Sequence, residues 1–253
     1  MKEAVIFNYL LVAWFVLAAV IFVALFFVVA PYGRHIAKHW GATLRSRTGW
    51  IVMECTSPII FAACFILGPN RNTLPVIAFL ILWETHYIHR AFFYPLHRRD
   101  GDKRTPAAVV AMGFIFNGVN GYLNGRYIFN LSPVYADSWL RDPRFIAGVL
   151  LLIFGFIINR QSDFTLHNLR KEGETGYRIA NTGLYRWVSC PNYLGEIMIW
   201  TGWAIATWSL AGLSFALWTA ANLVPRARAH HRWYRQNFSE YPPHRKTLVP
   251  GIW

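Results

Sequence analysis

Two side chains that can stabilise negative charge on an oxygen atom lie inside apolar stretches of the chain. Glu54 follows Trp50-Ile-Val-Met, and Tyr87 lies in a second apolar segment beside His86. A phenol can donate a hydrogen bond or a proton to an oxygen that becomes negative during a reaction, and a nearby protonated carboxyl group would strengthen that donor. Glu54 has a simpler alternative as a helix-end carboxylate that reaches water or pairs with Arg47. The sequence alone leaves both interpretations open.

The residues around Tyr87 repeat at helical spacing. Trp83, Tyr87, Arg90 and Tyr94 follow one another at intervals of three or four residues, so a helix places them on one face. For Arg90 and Tyr94 alone, an aromatic belt with a snorkelling arginine at a membrane interface would explain the pattern. Tyr87 lies deeper in the apolar segment, which favours a chemical role for it.

A second group of polar side chains surrounds the start of a later apolar segment. The stretch 159–173 is rich in amide, carboxylate and arginine side chains, and Asn192 and Glu196 begin the apolar helix that follows. Arginine suits pyrophosphate, whereas asparagine, aspartate and glutamate can bind ribose hydroxyls or a carboxamide. The chain has neither a G-x-G-x-x-G turn nor a Walker loop, so neither soluble nucleotide-binding fold is expected.

The last apolar segment continues into a basic and aromatic helix. Residues 226–235 contain four arginines, two histidines, a tryptophan and a tyrosine. Such a helix could anchor the chain to anionic lipid, and it could equally bind phosphate groups.

The composition indicates a membrane protein. Of the 253 residues, 55% are hydrophobic and only 15% are charged, which is too apolar for an ordinary soluble domain. The net charge of +13 does not indicate nucleic-acid binding, because the basic residues occupy short stretches between apolar segments. Three cysteines give neither a disulfide framework nor a zinc site, and nine histidines lack the repeated boxes of a membrane di-iron oxygenase. We therefore expect no metal.

Apolar segments long enough to cross a bilayer divide the whole chain. They run approximately over 6–30, 50–68, 73–95, 107–129, 144–161, 190–208 and 210–225. Only a few small residues separate the last two, so six spans with one long kinked helix is the alternative. No linker divides the segments, which predicts a single all-α polytopic domain over 1–253 with seven transmembrane helices.

Basic residues alternate between the two sides of these segments. The loops after spans one, three, five and seven contain four, four, five and six Lys and Arg residues, whereas the other connections contain few. The positive-inside rule then favours seven spans, an N-terminus outside or lumenal and a cytoplasmic C-terminus. Every long polar loop is then cytosolic, where a soluble anionic cofactor would bind.

Taken together, these segments resemble the steroid 5α-reductase family over nearly the whole chain, most strongly over 159–253. Near the N-terminus the similar motifs are Trp50-x-x-x-Glu54 and His86-Tyr87-x-His89-Arg90. The more specific ones are Tyr177-Arg178-Ile, Gly183-Leu-Tyr185, Asn192-Tyr-Leu-Gly195-Glu196, His230-His231-x-Trp-Tyr234 and Glu240-Tyr-Pro242.

The resemblance implies a seven-helix enzyme that uses NADPH to reduce the 4,5 double bond of 3-oxo-Δ4 steroids such as testosterone or progesterone. The residues matching Glu54 and Tyr87 hold the C3 carbonyl oxygen while hydride adds to C5. The residues that would contact the cofactor are Asn159, Asp163, Arg170, Tyr177, Arg178, Asn192, Glu196, Arg226, His230 and Tyr234. Those that would lie near the substrate or the nicotinamide are Trp50, Tyr32, Arg90 and Leu223.

Two other families share part of this pattern. Sterol C14 and C7 reductases and isoprenylcysteine methyltransferases carry Arg-His-Pro where this chain has Ser189-Cys190-Pro191. The missing arginine and histidine, together with Glu54, argue against both. A sterol reductase of another double bond and an S-adenosylmethionine-dependent methyltransferase are the alternatives, and a non-enzymatic scaffold would leave Glu54 without a purpose.

The same resemblance sets the expected partners and location. We expect a steroid or sterol-like lipid substrate and membrane lipid, with no nucleic acid and no obligatory protein partner. The membrane would be that of the endoplasmic reticulum in a eukaryote or the inner membrane in a bacterium.

Overall fold

The computed structural model describes residues 2–28, 41–97, 103–169 and 176–253, and these residues are mostly helical. A short helix, α4 (Tyr94–His97), lies in the chain between α3 (Leu74–Ile88) and α5 (Ala107–Arg126). The long helices are α1 (Lys2–Phe27), α2 (Ser46–Leu67), α3 (Leu74–Ile88), α5 (Ala107–Arg126), α6 (Pro143–Asn168), α7 (Pro191–Thr207) and α8 (Leu210–Asn237). The predicted apolar segments therefore coincide with helices.

Helix α1 shows the character expected of a membrane segment. No charged residue interrupts it from Ile6 onward, and large apolar side chains such as Val12 and Val16 are 61% and 59% exposed. A helix that is apolar all round needs lipid or protein around it. Among the described residues, α1, α2 and α6 are long and apolar enough to span a membrane. Seven crossings and cytosolic loops stay predictions.

Helices α3 and α5 both end in a turn of π-helix. Helix α3 passes into the π-helical segment His89–Phe93 before α4 begins, and α5 passes into a second one at Tyr127–Leu131. A π turn contains more residues than an α turn, so it changes the direction in which the following side chains point, and such turns are frequent at functional sites. Arg90 lies in the first of these segments.

The structure decides between one kinked helix and two separate helices at the end of the chain. Helix α7 ends at Thr207, and Trp208 has a left-handed backbone with φ of 44°. Ser209 then caps α8, because its Oγ accepts a hydrogen bond of 2.9 Å from the N–H of Gly212. Two helices form here, as the seven-segment interpretation requires.

One short two-stranded sheet accompanies the helices among the described residues. Strands β1 (Thr43–Arg45) and β2 (Arg104–Pro106) pair antiparallel, with Leu44 opposite Thr105. They lead directly into α2 and α5, and the hydroxyls of Ser46 and Thr105 form a hydrogen bond of 2.6 Å. Alternating hydrophobicity identifies strands of about four residues or more, so three-residue strands escape this criterion.

The chain divides into two compact units. The first consists of Met1–Val12 and Pro31–Ile146, and the second consists of Ala13–Ala30 and Ala147–Trp253. Within the first unit α2 packs along α5, and within the second α7 packs along α8. The expectation of a single domain over the whole chain stays a prediction.

Candidate active site

Tyr87 lies in the aromatic core of the first unit. Only 2% of its surface is exposed, and its ring centre is 5.2 Å from that of Trp83, which stacks on Phe61 at 4.4 Å. Its O–H donates a hydrogen bond of 3.3 Å to the amide oxygen of Asn117 on α5. Packing of the ring and the bond to its hydroxyl therefore both fix the phenol.

Asn117 is not among the predicted site residues. It is 7% exposed and begins a row of buried amides on α5, in which the Asn120 amide donates to the Phe116 carbonyl and the Asn124 amide donates to the Asn120 carbonyl. A polar residue within an apolar segment needs a partner or a function, so its place in the sequence could have marked Asn117 as a site residue. The sequence could not identify Tyr87 as that partner.

Glu54 on α2 lies beside Arg90 of the first π-helical segment. The Arg90 Nε is 3.9 Å from the Glu54 Oε1, and the two side chains are only 21% and 15% exposed. The partner suggested by the sequence, Arg47, is thus replaced by an arginine from another helix. Because Arg90 lies three residues after Tyr87, this contact brings the carboxyl group to the helix that carries the phenol.

The guanidinium of Arg90 lies against two aromatic rings. Its Cζ is 4.9 Å from the centre of the Trp50 ring and 4.8 Å from that of Tyr94, and the two rings are 5.2 Å apart. The Trp50 indole N–H donates a hydrogen bond of 3.0 Å to the Arg90 carbonyl oxygen. These contacts hold Arg90 against α2 instead of leaving it extended into solvent.

The first unit thus brings several of the predicted chemical groups together. Arg90 contacts both Trp50 and Glu54, and Tyr87 lies about one helical turn before Arg90. A guanidinium, a phenol and a carboxyl group in its protonated form can donate hydrogen bonds to a carbonyl oxygen and stabilise negative charge on it. Tyr32, the remaining predicted substrate residue in this part of the sequence, lies outside the described residues.

In the second unit, α6 and α7 approach each other closely at glycine residues. A Cβ atom added at Gly195 would lie 2.6 Å from the backbone nitrogen of Asn159 and 2.6 Å from the carbonyl oxygen of Gly155. Gly148 and Gly202 meet in the same way farther along the two helices. Small residues allow helix backbones to come this close. The approach places the polar start of α7 against the polar end of α6.

The side chain of Asn159 bridges these two helices. Its Nδ2 donates hydrogen bonds of 3.0 Å to the Asn192 carbonyl oxygen and 3.1 Å to Glu196 Oε2. The Asn192 amide donates to Asp163 Oδ1 at 3.4 Å, and the Trp200 indole N–H donates to Glu196 Oε1 at 3.0 Å. Four of the predicted cofactor residues therefore form one connected network, which we call the amide network (Asn159, Asp163, Asn192 and Glu196).

Two predicted residues on α8 make aromatic contacts. The ring of His230 is 5.7 Å from that of Tyr193 on α7. Tyr234 stacks on Tyr241, with ring centres 5.3 Å apart and ring planes 12° from parallel. The predicted histidine is thereby joined to the start of α7, and the predicted tyrosine to the C-terminal segment.

The other predicted residues of the second unit are less buried. Tyr177 is 43% exposed and packs edge-on against a tryptophan of α8. Arg178 is exposed, whereas Leu223 and Arg226 are partly buried on α8. Arg170 lies outside the described residues.

A buried hydrogen-bonded cluster next to Tyr234 was not predicted. The Ser189 hydroxyl lies 2.6 Å from His231 Nδ1 and 2.6 Å from the Tyr241 hydroxyl. Since Tyr241 stacks on Tyr234, the cluster fixes the position of a predicted cofactor residue. Both His231 and Tyr241 belong to noticed motifs, but nothing in the sequence paired them with Ser189.

Arg245 contributes a buried positive charge beside this cluster. It is 4% exposed, its Cζ lies 4.9 Å from the centre of the Tyr241 ring, and its Nη2 donates a hydrogen bond of 2.9 Å to Asn181 Oδ1. Burial, together with the charges of Arg235 and Arg245, holds the pKa of His231 below its usual value. His231 is therefore neutral at pH 7.

Comparison with known proteins identifies the family. The family model described as 3-oxo-5-alpha-steroid 4-dehydrogenase matches residues 103–253. Steroid 5-alpha-reductase DET2 from Gossypium hirsutum is 38% identical over 258 residues, which cover 100% of this chain and 99% of the relative. The 3-oxo-5-alpha-steroid 4-dehydrogenase 1 of Macaca fascicularis is 42% identical over 223 residues, covering 87% of this chain and 84% of the relative. That of Bos taurus is 40% identical over 240 residues, covering 93% of each. The chain therefore belongs to the 3-oxo-5-alpha-steroid 4-dehydrogenase (steroid 5-alpha-reductase) family, and it is an oxidoreductase.

Proposed function

We propose that this chain uses NADPH to reduce the 4,5 double bond of a 3-oxo-Δ4 steroid to the 5α product. The observation that carries the proposal is the contact between Glu54 and Arg90, which joins the carboxyl group to the helix that carries Tyr87. Membership of the family supports steroid 5α-reduction in general.

In this proposal, Glu54 in its protonated form and Tyr87 both donate hydrogen bonds to the C3 carbonyl oxygen of the substrate. The conjugated carbonyl makes C5 electrophilic, and addition of a hydride there moves negative charge onto the C3 oxygen. The two hydrogen bonds stabilise that charge. The Tyr87 hydroxyl donates its hydrogen bond to Asn117, so a substrate oxygen would compete with Asn117 for it. The Asn117 amide can then donate to the phenol oxygen and keep the ring in place.

The amide network suits a dinucleotide cofactor. Carboxylates such as Asp163 and Glu196 accept hydrogen bonds from ribose hydroxyls, and the amides of Asn159 and Asn192 can bind hydroxyls or a carboxamide. Arg226 and the exposed Arg178 supply positive charge for phosphate groups. NADPH, when bound, supplies the hydride for C5 and leaves as NADP⁺, while a proton added at C4 completes the reduction.

The proposal includes a membrane location. The apolar helices α1, α2 and α6 support it, and a steroid dissolved in lipid could reach a helical bundle without crossing water. We propose seven crossings with the C-terminus on the cytoplasmic side, because the basic segments alternate in that way and NADPH is soluble.

The direct test is an assay of the detergent-purified full-length protein. NADPH oxidation is followed with testosterone or progesterone as substrate, and the product is identified by mass spectrometry. The expected product has gained two hydrogens at the 4,5 bond, and Glu54→Gln abolishes its formation.

Two other outcomes would change the proposal in different ways. If NADPH binds but neither steroid is reduced, the substrate is another lipid with a conjugated ketone and the 3-oxo-Δ4 assignment is wrong. If the protein transfers a labelled methyl group from S-adenosylmethionine and oxidises no NADPH, the reductase proposal as a whole is wrong.

A further inference from the structure

The hydroxyl group of Tyr185 is buried without a hydrogen-bond partner. Tyr185 lies in the short 3-10 helix Gly183–Arg186 that precedes α7, and it is 4% exposed. Its hydroxyl oxygen is shielded from solvent and bonds to none of the described residues. Burial of a hydroxyl without a partner is destabilising, and phenylalanine would fill the same space without that penalty. The unsatisfied group therefore requires an explanation.

The surroundings of Tyr185 connect it to the predicted cofactor residues. The ionisable groups that act on it electrostatically are Asp163, Cys190, Tyr193 and Tyr234. Burial raises the pKa of Tyr185 well above its usual value, and the negative charge of Asp163 raises it further. The phenol therefore keeps its proton and can donate a hydrogen bond.

We propose that the Tyr185 hydroxyl positions the Asp163 carboxylate by donating a hydrogen bond to it when a dinucleotide occupies the amide network. The inference rests on the proposed use of NADPH. In the ligand-free chain the Asn192 amide donates to Asp163 at 3.4 Å, which is near the upper limit for a hydrogen bond. A bond from the Tyr185 hydroxyl would be charge-assisted and therefore stronger than this long one.

The ligand group that would use this arrangement is a ribose hydroxyl. A ribose hydroxyl can donate a hydrogen bond to the Asp163 carboxylate. When Tyr185 bonds to one side of that carboxylate, the remaining lone pairs of the carboxylate point in a fixed direction. Tyr185 is thus a positioning residue that acts through Asp163, and its contribution appears in cofactor affinity.

The test removes only the hydroxyl, by Tyr185→Phe in the full-length protein. NADPH binding is titrated by energy transfer from tryptophan to the nicotinamide. We expect the dissociation constant to rise by about tenfold, the scale of a hydrogen bond to a charged group. Turnover at saturating NADPH should change less than about twofold. The melting temperature of the cofactor-free protein should stay the same or rise, since no bond is lost there.

Tyr241→Phe is the matched control for stability. It also removes a buried phenol hydroxyl, but this one bonds to Ser189 at 2.6 Å in the ligand-free chain. It should therefore lower the melting temperature of the cofactor-free protein, in contrast to Tyr185→Phe.

A double-mutant cycle with Asp163→Ala tests whether Tyr185 acts through Asp163. Without the carboxylate, Tyr185→Phe should weaken NADPH binding by less than about twofold. An equal loss in both backgrounds, or an unchanged dissociation constant in Tyr185→Phe alone, would overturn the inference. If the wild-type protein does not bind NADPH, the proposed function itself fails, so the two failures can be told apart.

Discussion

The two units hold their polar side chains in different ways. In the first unit, large rings determine the geometry, because Arg90 lies against Trp50 and Tyr94 beside the carboxyl group of Glu54. In the second unit, the absence of a side chain at Gly195 lets two helix backbones come close enough for short amide side chains to bridge them. Substitution of a charged or aromatic residue in the first unit should therefore change the rate of the reaction. A methyl group added at Gly195 in the second unit should instead weaken cofactor binding and lower stability.

The largest effect should follow from Glu54→Gln and Tyr87→Phe. Each removes a group proposed to stabilise charge on the substrate oxygen, so kcat should fall by about 100-fold or more. The dissociation constant for NADPH should stay within about threefold of the wild-type value, because the predicted cofactor residues of the second unit are unchanged. Steady-state kinetics and a binding titration measure the two quantities separately.

The control for this pair is Glu3→Gln. It makes the same chemical change at the start of α1, where the carboxylate pairs with Arg126 in the first unit. It should leave kcat unchanged. If Glu54→Gln and Tyr87→Phe weakened NADPH binding as much as they lowered kcat, their assignment to the substrate oxygen would be wrong.

A smaller but clear effect is expected from Gly195→Ala. The added Cβ would lie 2.6 Å from backbone atoms of α6, and overpacking of this kind costs about 1–3 kcal/mol. The melting temperature should fall, and NADPH binding should weaken severalfold, because the helices that carry the amide network must separate. Thermal unfolding and the NADPH titration measure both changes.

Gly118→Ala on α5 is the matched control for Gly195→Ala. Its added Cβ would find its nearest neighbours at 3.5 Å, which is ordinary van der Waals contact. Similar losses of stability in the two variants would show that the close backbone approach at Gly195 is not the cause of the loss.

Arg90→Lys should have an intermediate effect on the reaction with the steroid. Lysine keeps the charge but loses the planar group that lies against two rings, an interaction of about 0.5–2 kcal/mol. We expect kcat/KM for the steroid to fall by about 3- to 10-fold. As a control, Arg144→Lys removes a guanidinium that lies 4.5 Å from the ring centre of Trp139 in the same unit. A fall of kcat/KM in that variant too would indicate a general loss of structure.

The smallest effect should be a pH dependence of stability that arises from His231. Since burial and neighbouring arginines lower its pKa in the folded chain, the unfolded chain binds the proton first as the pH falls below about 6.5. The contribution of His231 to the free energy of unfolding is therefore complete above that pH and is lost as the pH falls through the lowered pKa. In His231→Gln the melting temperature should change less between pH 8 and pH 5 than in the wild-type protein. An equal change in both proteins would show that His231 does not cause the pH dependence.

The sequence predicted the helices well, because apolar runs and helical spacing are local properties. It could not predict which residues meet across helices. Glu54 pairs with Arg90 instead of the nearby Arg47, and Tyr87 bonds to Asn117, which lies 30 residues away. Such partners depend on how helices pack, and a single sequence does not contain that information.

The two units also differ in what the sequence could reveal. The amides and carboxylates around Asn159 and Asn192 were recognisable by type, but their distances depend on glycines whose close neighbours only the structure shows. The cluster of Ser189, His231 and Tyr241 joins segments more than 40 residues apart, so no local pattern could predict it.

The π-helical segment His89–Phe93 makes the first unit more sensitive to deletion than to substitution. Loss of Ala91, Phe92 or Phe93, which separate Arg90 from Tyr94, would let the chain wind as a regular α-helix. Every later side chain of that helix would then turn by about 100° and shift by about 1.5 Å. Tyr94 would leave the side of Arg90 although every remaining residue kept its identity, so the length of this segment matters as much as its composition.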